Sequence, residues 1–136
     1  MEAIIATVQW SETERPVEVS TCQELDQALH QSAARCTPGH PIIVAIGVHG
    51  YEVGIGIGLH ESFVHIKRPE PGAPESCLIT VGGGEAKRGV VFFFLNTRRT
   101  EIPRHNLIST SLAREIVREF FETGRRPTNV KWEQLR

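Results

Sequence analysis

The chain reads as a single α+β domain over residues 1–136: a mainly antiparallel six- to seven-stranded sheet with two principal helices packed on one face. Three observations predict this. From Ile42 to Leu59 large apolar residues alternate with smaller ones, the period of a strand. Two segments, near 21–36 and 110–123, carry apolar residues at helical spacing. Between those helices the predicted strands follow in short succession.

Each element has a local reason. Residues 3–10 (AIIATVQW) are an apolar run that fits a strand, and residues 11–16 are a polar loop. Thr21 and Glu24 have the spacing of a capping box, and Cys22, Leu25, Leu29 and Ala33 recur behind it. That helix should stop before Pro38 and Gly39. Ile42, Val44, Ile46 and Val48 alternate up to a two-residue turn at His49 and Gly50. Tyr51, Val53, Ile55, Ile57 and Leu59 alternate in the returning strand. Residues 63–66 form a further strand, and Pro69, Pro71, Gly72 and Pro74 a stiff loop. Residues 77–81 and 89–95 are strands separated by the turn Gly82, Gly83, Gly84. The run Val90 to Leu95 (VVFFFL) is apolar on both faces, so it is expected at the centre of the sheet, covered above and below. The last helix begins at Ser109 or Ser111. Leu112, Ile116, Phe120 and Phe121 lie along one side, with Val117 widening the apolar face. Gly124 ends it, Pro127 turns the chain, and a short strand closes on Trp132 and Glu133.

Composition narrows the class. With 40% hydrophobic and 23% charged residues the 136-residue chain matches ordinary globular proteins. No apolar run approaches the ~20 residues of a membrane span. The N-terminus shows no basic region leading into an apolar stretch, so no signal peptide is expected. Cys22, Cys36 and Cys77 are too few and too far apart for a disulfide framework or a Cys-x-x-Cys zinc pattern. Free thiols point to a reducing cytoplasm. Residues 1–85 hold four Lys/Arg against eleven Asp/Glu, and residues 86–136 eleven against five. Halves of a chain are not faces of a fold, so the signs are expected to intermingle. The alternative is an acidic face that steers a basic partner and repels nucleic acid.

No catalytic constellation emerges, and no cofactor or metal is expected. Gly54, Gly56 and Gly58 alternate along one strand, so they should line one face and let a ring or helix pack closely. They lack the strand–turn–helix setting of a dinucleotide fingerprint. Gly82 to Gly84 has no following Lys-Ser/Thr, which excludes a P-loop. His60 and His65 are five residues apart on a predicted strand and face opposite ways. No H-x-E with P-C-x-x-C occurs, so the chain is not itself a zinc deaminase. Ser62, Ser76 and Ser109 lack a nucleophile elbow. The basic set Arg98, Arg99, Arg104, His105, Arg125, Arg126 and Lys131 lacks interleaved aromatics, so nucleic acid is not the expected partner.

Residues 100–133 carry a recognisable pattern: Thr100-Glu101-Ile102-Pro103, Leu107-Ile108, Phe120/Phe121, Thr123-Gly124, Arg126-Pro127 and Val130-x-Trp132-Glu133. Upstream, the glycine-rich strand is followed by Glu61-Ser62-Phe63. The pattern resembles family one of the polymorphic-toxin immunity proteins, across roughly residues 40–133. Its motif residues Glu101, Pro103, Gly124, Pro127, Trp132 and Glu133 are read as mainly structural. The resemblance implies a cytoplasmic α+β protein that binds a cognate toxin domain, commonly a nucleic-acid deaminase, and blocks its active site. No catalytic residue is carried over.

An inhibitor of a nucleic-acid enzyme would present carboxylates to a basic channel. Glu52, Glu61 and Glu70 are the expected toxin-binding acids, with Glu12, Glu14 and Glu75 as further candidates and Tyr51 as the aromatic anchor. The rival reading is a small-molecule enzyme or ligand-binding protein on the same scaffold. Its pocket would lie over the glycine stripe, with His49, His60, His65, Glu52 and Glu101 as titratable groups. A cavity there would favour the rival, and a filled stripe would remove its basis. Trp132 is expected to be largely buried against Phe120 or Phe121 and against the neighbours of the first strand.

Overall fold

A computed structural model describes residues 4–11, 14–68, 77–82 and 88–135. Glu12, Glu70, Glu75, Ser76, the proline loop and two glycines of the Gly82–Gly84 turn lie outside them. The class is α+β as expected, with more strands than the sequence suggests. Among the described residues nine strands form the main sheet and two more a separate ribbon. The central path is antiparallel throughout. It runs β11 (Lys131–Gln134), β7 (Cys77–Val81), β6 (Val64–Lys67), β4 (Tyr51–Ile57), β3 (Ile42–Val48), β1 (Ala6–Gln9) and β2 (Val17–Val19). The ribbon pairs β5 (Glu61–Ser62) with β10 (Ile108–Ser109). Strands of two to four residues hold too few alternations to register as a period, which is why the sequence suggests fewer.

Both helices form as their caps dictate. Helix α1 spans Cys22–Ala34; the Thr21 hydroxyl accepts from the Glu24 amide at 3.1 Å. Glu24 reaches back to the amide and hydroxyl of Ser20, one residue before the expected partner. Helix α2 spans Thr110–Thr123, with the Ser109 hydroxyl accepting from the Leu112 amide. Gly124, at φ 70°, turns back so that its amide donates to the Phe120 carbonyl at 2.8 Å. The turn between β3 and β4 falls at His49 and Gly50, both at positive φ. Nε2 of His49 donates to the Phe121 carbonyl at 2.8 Å, which ties this turn to the C-terminal end of α2.

Alternation divides the sheet into two faces. Val44, Ile46 and Val48 of β3, Val53, Ile55 and Ile57 of β4, and Val64 and Ile66 of β6 join Leu25, Leu29, Ile116, Val117, Phe120 and Phe121 in one core. This is the helix face. A smaller core of Ile43, Phe63, Ile79, Phe93, Ile102 and Leu107 lies on the reverse.

The run Val90 to Leu95 does not take the central place expected of it. As β8 it pairs fully with β9 (Arg98–Pro103) and touches β3 at one position, Ile42 with Phe94. Only Phe93 of the run is buried. The other rings are covered without a central position: the Arg99 guanidinium lies 4.3 Å over Phe92, and His40 stacks on Phe94 at 3.8 Å. The run is thus one strand of a hairpin, turned by Asn96 at φ 59°, that closes one half of the reverse face.

Candidate functional site

The glycine stripe is filled. A Cβ at Gly56 would sit 2.7 Å from the Phe93 ring and 3.0 Å from Phe63, and one at Gly54 would overlap the imidazole of His65. These two positions need glycine because aromatic rings lie directly on the backbone. Gly58 is not part of the stripe. It lies past the end of β4 at φ 113°, beside Pro41 and Cys36. No room for a ligand remains over Gly54 and Gly56, and the ligand-binding reading loses its basis.

The titratable groups of that reading are dispersed. His49 caps α2, His60 is exposed in the turn after β4, and Glu101 is exposed on β9. Glu52 and His65 share the reverse face of the sheet, on adjacent rows. Burial beside Phe63, and then the nearby Lys67 charge, lower the pKa of His65 to about 4, so its imidazole is neutral at pH 7. All three thiols are pushed above their ordinary pKa, chiefly by burial, and are not activated nucleophiles. Among the described residues no three His, Cys, Asp or Glu side chains converge as metal ligands. No helix there is long and apolar enough to cross a membrane.

Of the four expected toxin-binding residues, the three described ones do not share one surface. Tyr51 is half-buried on the helix face, edge-on to Phe120 at 5.4 Å. Its hydroxyl accepts from Arg68 at 2.9 Å. Glu52 follows it on the same strand and therefore points the other way, into solvent on the reverse face. Glu61 belongs to the ribbon, beyond the far end of β4, opposite Ser109. Glu70 lies outside the described residues.

The motif residues have identifiable structural tasks. Pro103 ends β9 and leads into a 3-10 turn at Arg104–Asn106. Glu101 pairs across the hairpin with Phe92. Pro127 is buried, and its carbonyl accepts from the Trp132 indole at 3.0 Å. Trp132 is mostly covered without being fully buried. It packs on the helix-side core, with Arg126 6.0 Å over its ring. It sits on β11 against Thr80 of β7, at the opposite edge from the first strand. Glu133 accepts from the buried Asn106 amide at 2.8 Å and faces His105 at 2.9 Å. The Asn106 contact, then His105, lowers its pKa against the opposing effect of burial. The same Asn106 amide donates to the Thr80 carbonyl at 2.9 Å, so Glu133 pins the last strand to the 3-10 turn.

A feature that sequence reasoning missed lies at the edge of β3. Strand β1 pairs with β3 from Ala45 to Gly47, and β8 takes over at Ile42. The gap between them is a notch beside Trp10. The indole of Trp10 donates to Glu14, which also pairs with Arg35, and the Arg35 guanidinium lies 4.7 Å over the ring. A groove of about 180 Å³ leads from the notch past Ala45 to Glu52, and a wider one of about 410 Å³ opens towards Arg35 and Thr97. The sequence offers Asn96–Thr97 as a hairpin turn, but nothing local places that tip beside the end of the first strand.

No curated protein matches the chain at a significant level. A family model does: "Immunity protein Imm1" matches residues 13–134, nearly the full length and including both helices, the glycine strand and the C-terminal motif. The chain belongs to this family of immunity proteins, whose role is to bind and neutralise a cognate toxin.

Proposed function

We propose that the protein neutralises a toxin that acts on nucleic acid, specifically a nucleic-acid deaminase, by stoichiometric binding in the cytoplasm and without catalysis of its own. Family membership over residues 13–134 carries the reading. The outward carboxylate of Glu52 supports the choice of target, because a nucleic-acid enzyme needs a basic substrate channel and an acid can complement it. The same carboxylate repels phosphate, so the partner is the toxin protein rather than its substrate. Of the expected contacts, Glu52 would meet a partner that docks on the sheet. Glu61 would serve a toxin that reaches past the far end of β4, and Glu70 is retained as a candidate from the sequence alone. Tyr51 would act from behind, by holding its strand against α2.

The test needs the toxin domain encoded beside this gene. Incubated with single-stranded DNA and RNA, that domain should convert cytosine or adenine to the deaminated base, and equimolar immunity protein should abolish the conversion. A toxin that cleaves its substrate instead removes the deaminase assignment and leaves the binding role. Charge reversal at Glu52 and Glu61 should slow association about tenfold at low salt and less at high salt. An unchanged association rate for the double variant would show that these acids do not steer the toxin.

A further inference from the structure

The helices and the β8–β9 hairpin leave one half of the reverse sheet face open. Two register rows cross it. One reads Glu18, Thr7, Gly47, Glu52, Lys67 and Cys77 over strands β2, β1, β3, β4, β6 and β7. The next reads Gln9, Ala45, Gly54 and His65 over β1, β3, β4 and β6. Thr7, Glu18, Glu52 and Lys67 are exposed, Gln9, Ala45, Gly47, His65 and Cys77 are partly buried, and Gly54 is buried under the His65 ring. A sheet normally buries such a face when it can. Here Ala45, Gly47 and Gly54 carry little or no side chain, the ring of His65 lies across Gly54, and Glu52 and Lys67 stand side by side in the row nearest the His49–Gly50 turn. The face is smooth, and the groove beside the hairpin tip opens onto it past Ala45 and Glu52.

We infer that this open half-face, together with the groove between Trp10, Leu95, Asn96 and Glu52, is the surface that receives the toxin. The inference rests on the immunity reading above. The occupant is a toxin loop carrying an arginine or lysine. The stem of that side chain lies over Ala45 and against Leu95, which is 38% exposed, and its head reaches Glu52. Charge complementarity selects a cation. Among the described residues Glu52 and Glu18 form no salt bridge. The cations nearby are Lys67, cross-strand from Glu52, Arg98, cross-strand from Leu95 on the hairpin, and Arg35, already joined to Glu14. Trp10 packs on the helix-side core and is held by Glu14 and Arg35, so it forms a rigid wall at the edge of the groove. Six strands ~4.8 Å apart make the first row about 24 Å long, and two rows deep it supplies the centre of a protein interface rather than its whole area.

Binding of the adjacent-gene toxin domain to the full chain, measured by interferometry, tests the surface. Ala45→Arg, which fills the groove, and Glu52→Lys should each weaken binding about 100-fold with melting temperatures near that of the unmodified protein. Glu115→Lys, on the solvent side of α2, should change it less than threefold. Carboxyl footprinting of the unmodified complex gives a readout free of folding effects: Glu18 and Glu52 should be shielded, and Glu115 and Glu119 not. Tight binding by both groove variants, or shielding confined to the α2 carboxylates, overturns this surface while the immunity role stands. Shielding of Glu18 and Glu52 by self-association without toxin also overturns it, since the occupant would be a second copy. If the unmodified chain neither binds nor inhibits the toxin, the immunity reading and the surface fall together.

Discussion

Gly56 holds its place because two phenylalanine rings occupy the space a methyl group would need. The backbone of β4 is the floor on which Phe93 and Phe63 meet edge to face at 5.1 Å. Gly56→Ala should therefore cost about 1–3 kcal/mol through overpacking. A urea midpoint equal to that of the unmodified protein would show that the rings can move aside. His65, one row away, has a pKa near 4 in the folded protein, against about 6.5 when unfolded. Because folding lowers this pKa, the stability attached to it is complete above about pH 6.5 and is lost as the pH falls towards 4. In that window the unfolded chain binds a proton that the folded chain refuses, at a cost of up to about 3 kcal/mol. Glu133, with its own lowered pKa, also weakens the fold as acid is added, so the His65 contribution is read by difference. Urea unfolding at pH 7 and pH 4.5 should show a smaller gap for His65→Gln than for the unmodified chain. An equal gap would mean the imidazole is protonated in the fold.

At the scale of elements, the C-terminal strand β11 is an edge strand fastened by side chains at three points. Trp132 packs on the helix-side core, its indole is bonded to Pro127, and Glu133 is bonded to Asn106. Incomplete burial makes the truncation milder than for a fully buried tryptophan. Trp132→Ala should lose about 2 kcal/mol from packing and one hydrogen bond. At temperatures where the variant is folded it should still bind toxin. A variant that melts like the unmodified protein but no longer binds would make Trp132 an interface residue and the motif functional. Helix α2 is held in a comparable way, since Gly124 closes its last turn and His49 reaches across to the Phe121 carbonyl.

For the whole molecule, the two cores are not independent. Strands β3 and β4 contribute Val44, Ile46, Val53 and Ile55 to one, and Ile43 to the other, while Gly56 receives the rings of the second. Loss of either core would strip one face of the same strands, so one cooperative unfolding transition is expected. Trp10 and Trp132 stand at opposite ends of the sheet and report on it separately. Thermal curves followed by fluorescence in Trp10→Phe and Trp132→Phe variants should have transitions of the same shape, each coincident with its own far-ultraviolet circular dichroism. Separate transitions within one variant would divide the chain into two folding units.

What the sequence determined by itself is what depends on neighbours within a few residues. Thr21 and Ser109 start their helices, Gly124 stops α2, and His49–Gly50 turns the central hairpin, because caps and turns act through bonds three to five residues long. Alternation placed Val44, Ile46, Val53 and Ile55 on one face. The same rule sets Tyr51 and Glu52 back to back, which the strand period alone makes legible. The family motif was legible too, since its glycine, prolines and aromatics stand in a fixed order. Only the tertiary structure decided where Val90 to Leu95 goes. An apolar strand is compatible with the centre of a sheet and with a hairpin laid across half of one, and the choice rests on long-range contacts of Phe93 with Gly56 and of Phe94 with Pro41. That placement closes one half of the reverse face, leaves the other open, and opens the notch beside Trp10. The candidate surface is a consequence of strand order, and strand order is fixed by pairings between residues tens of positions apart.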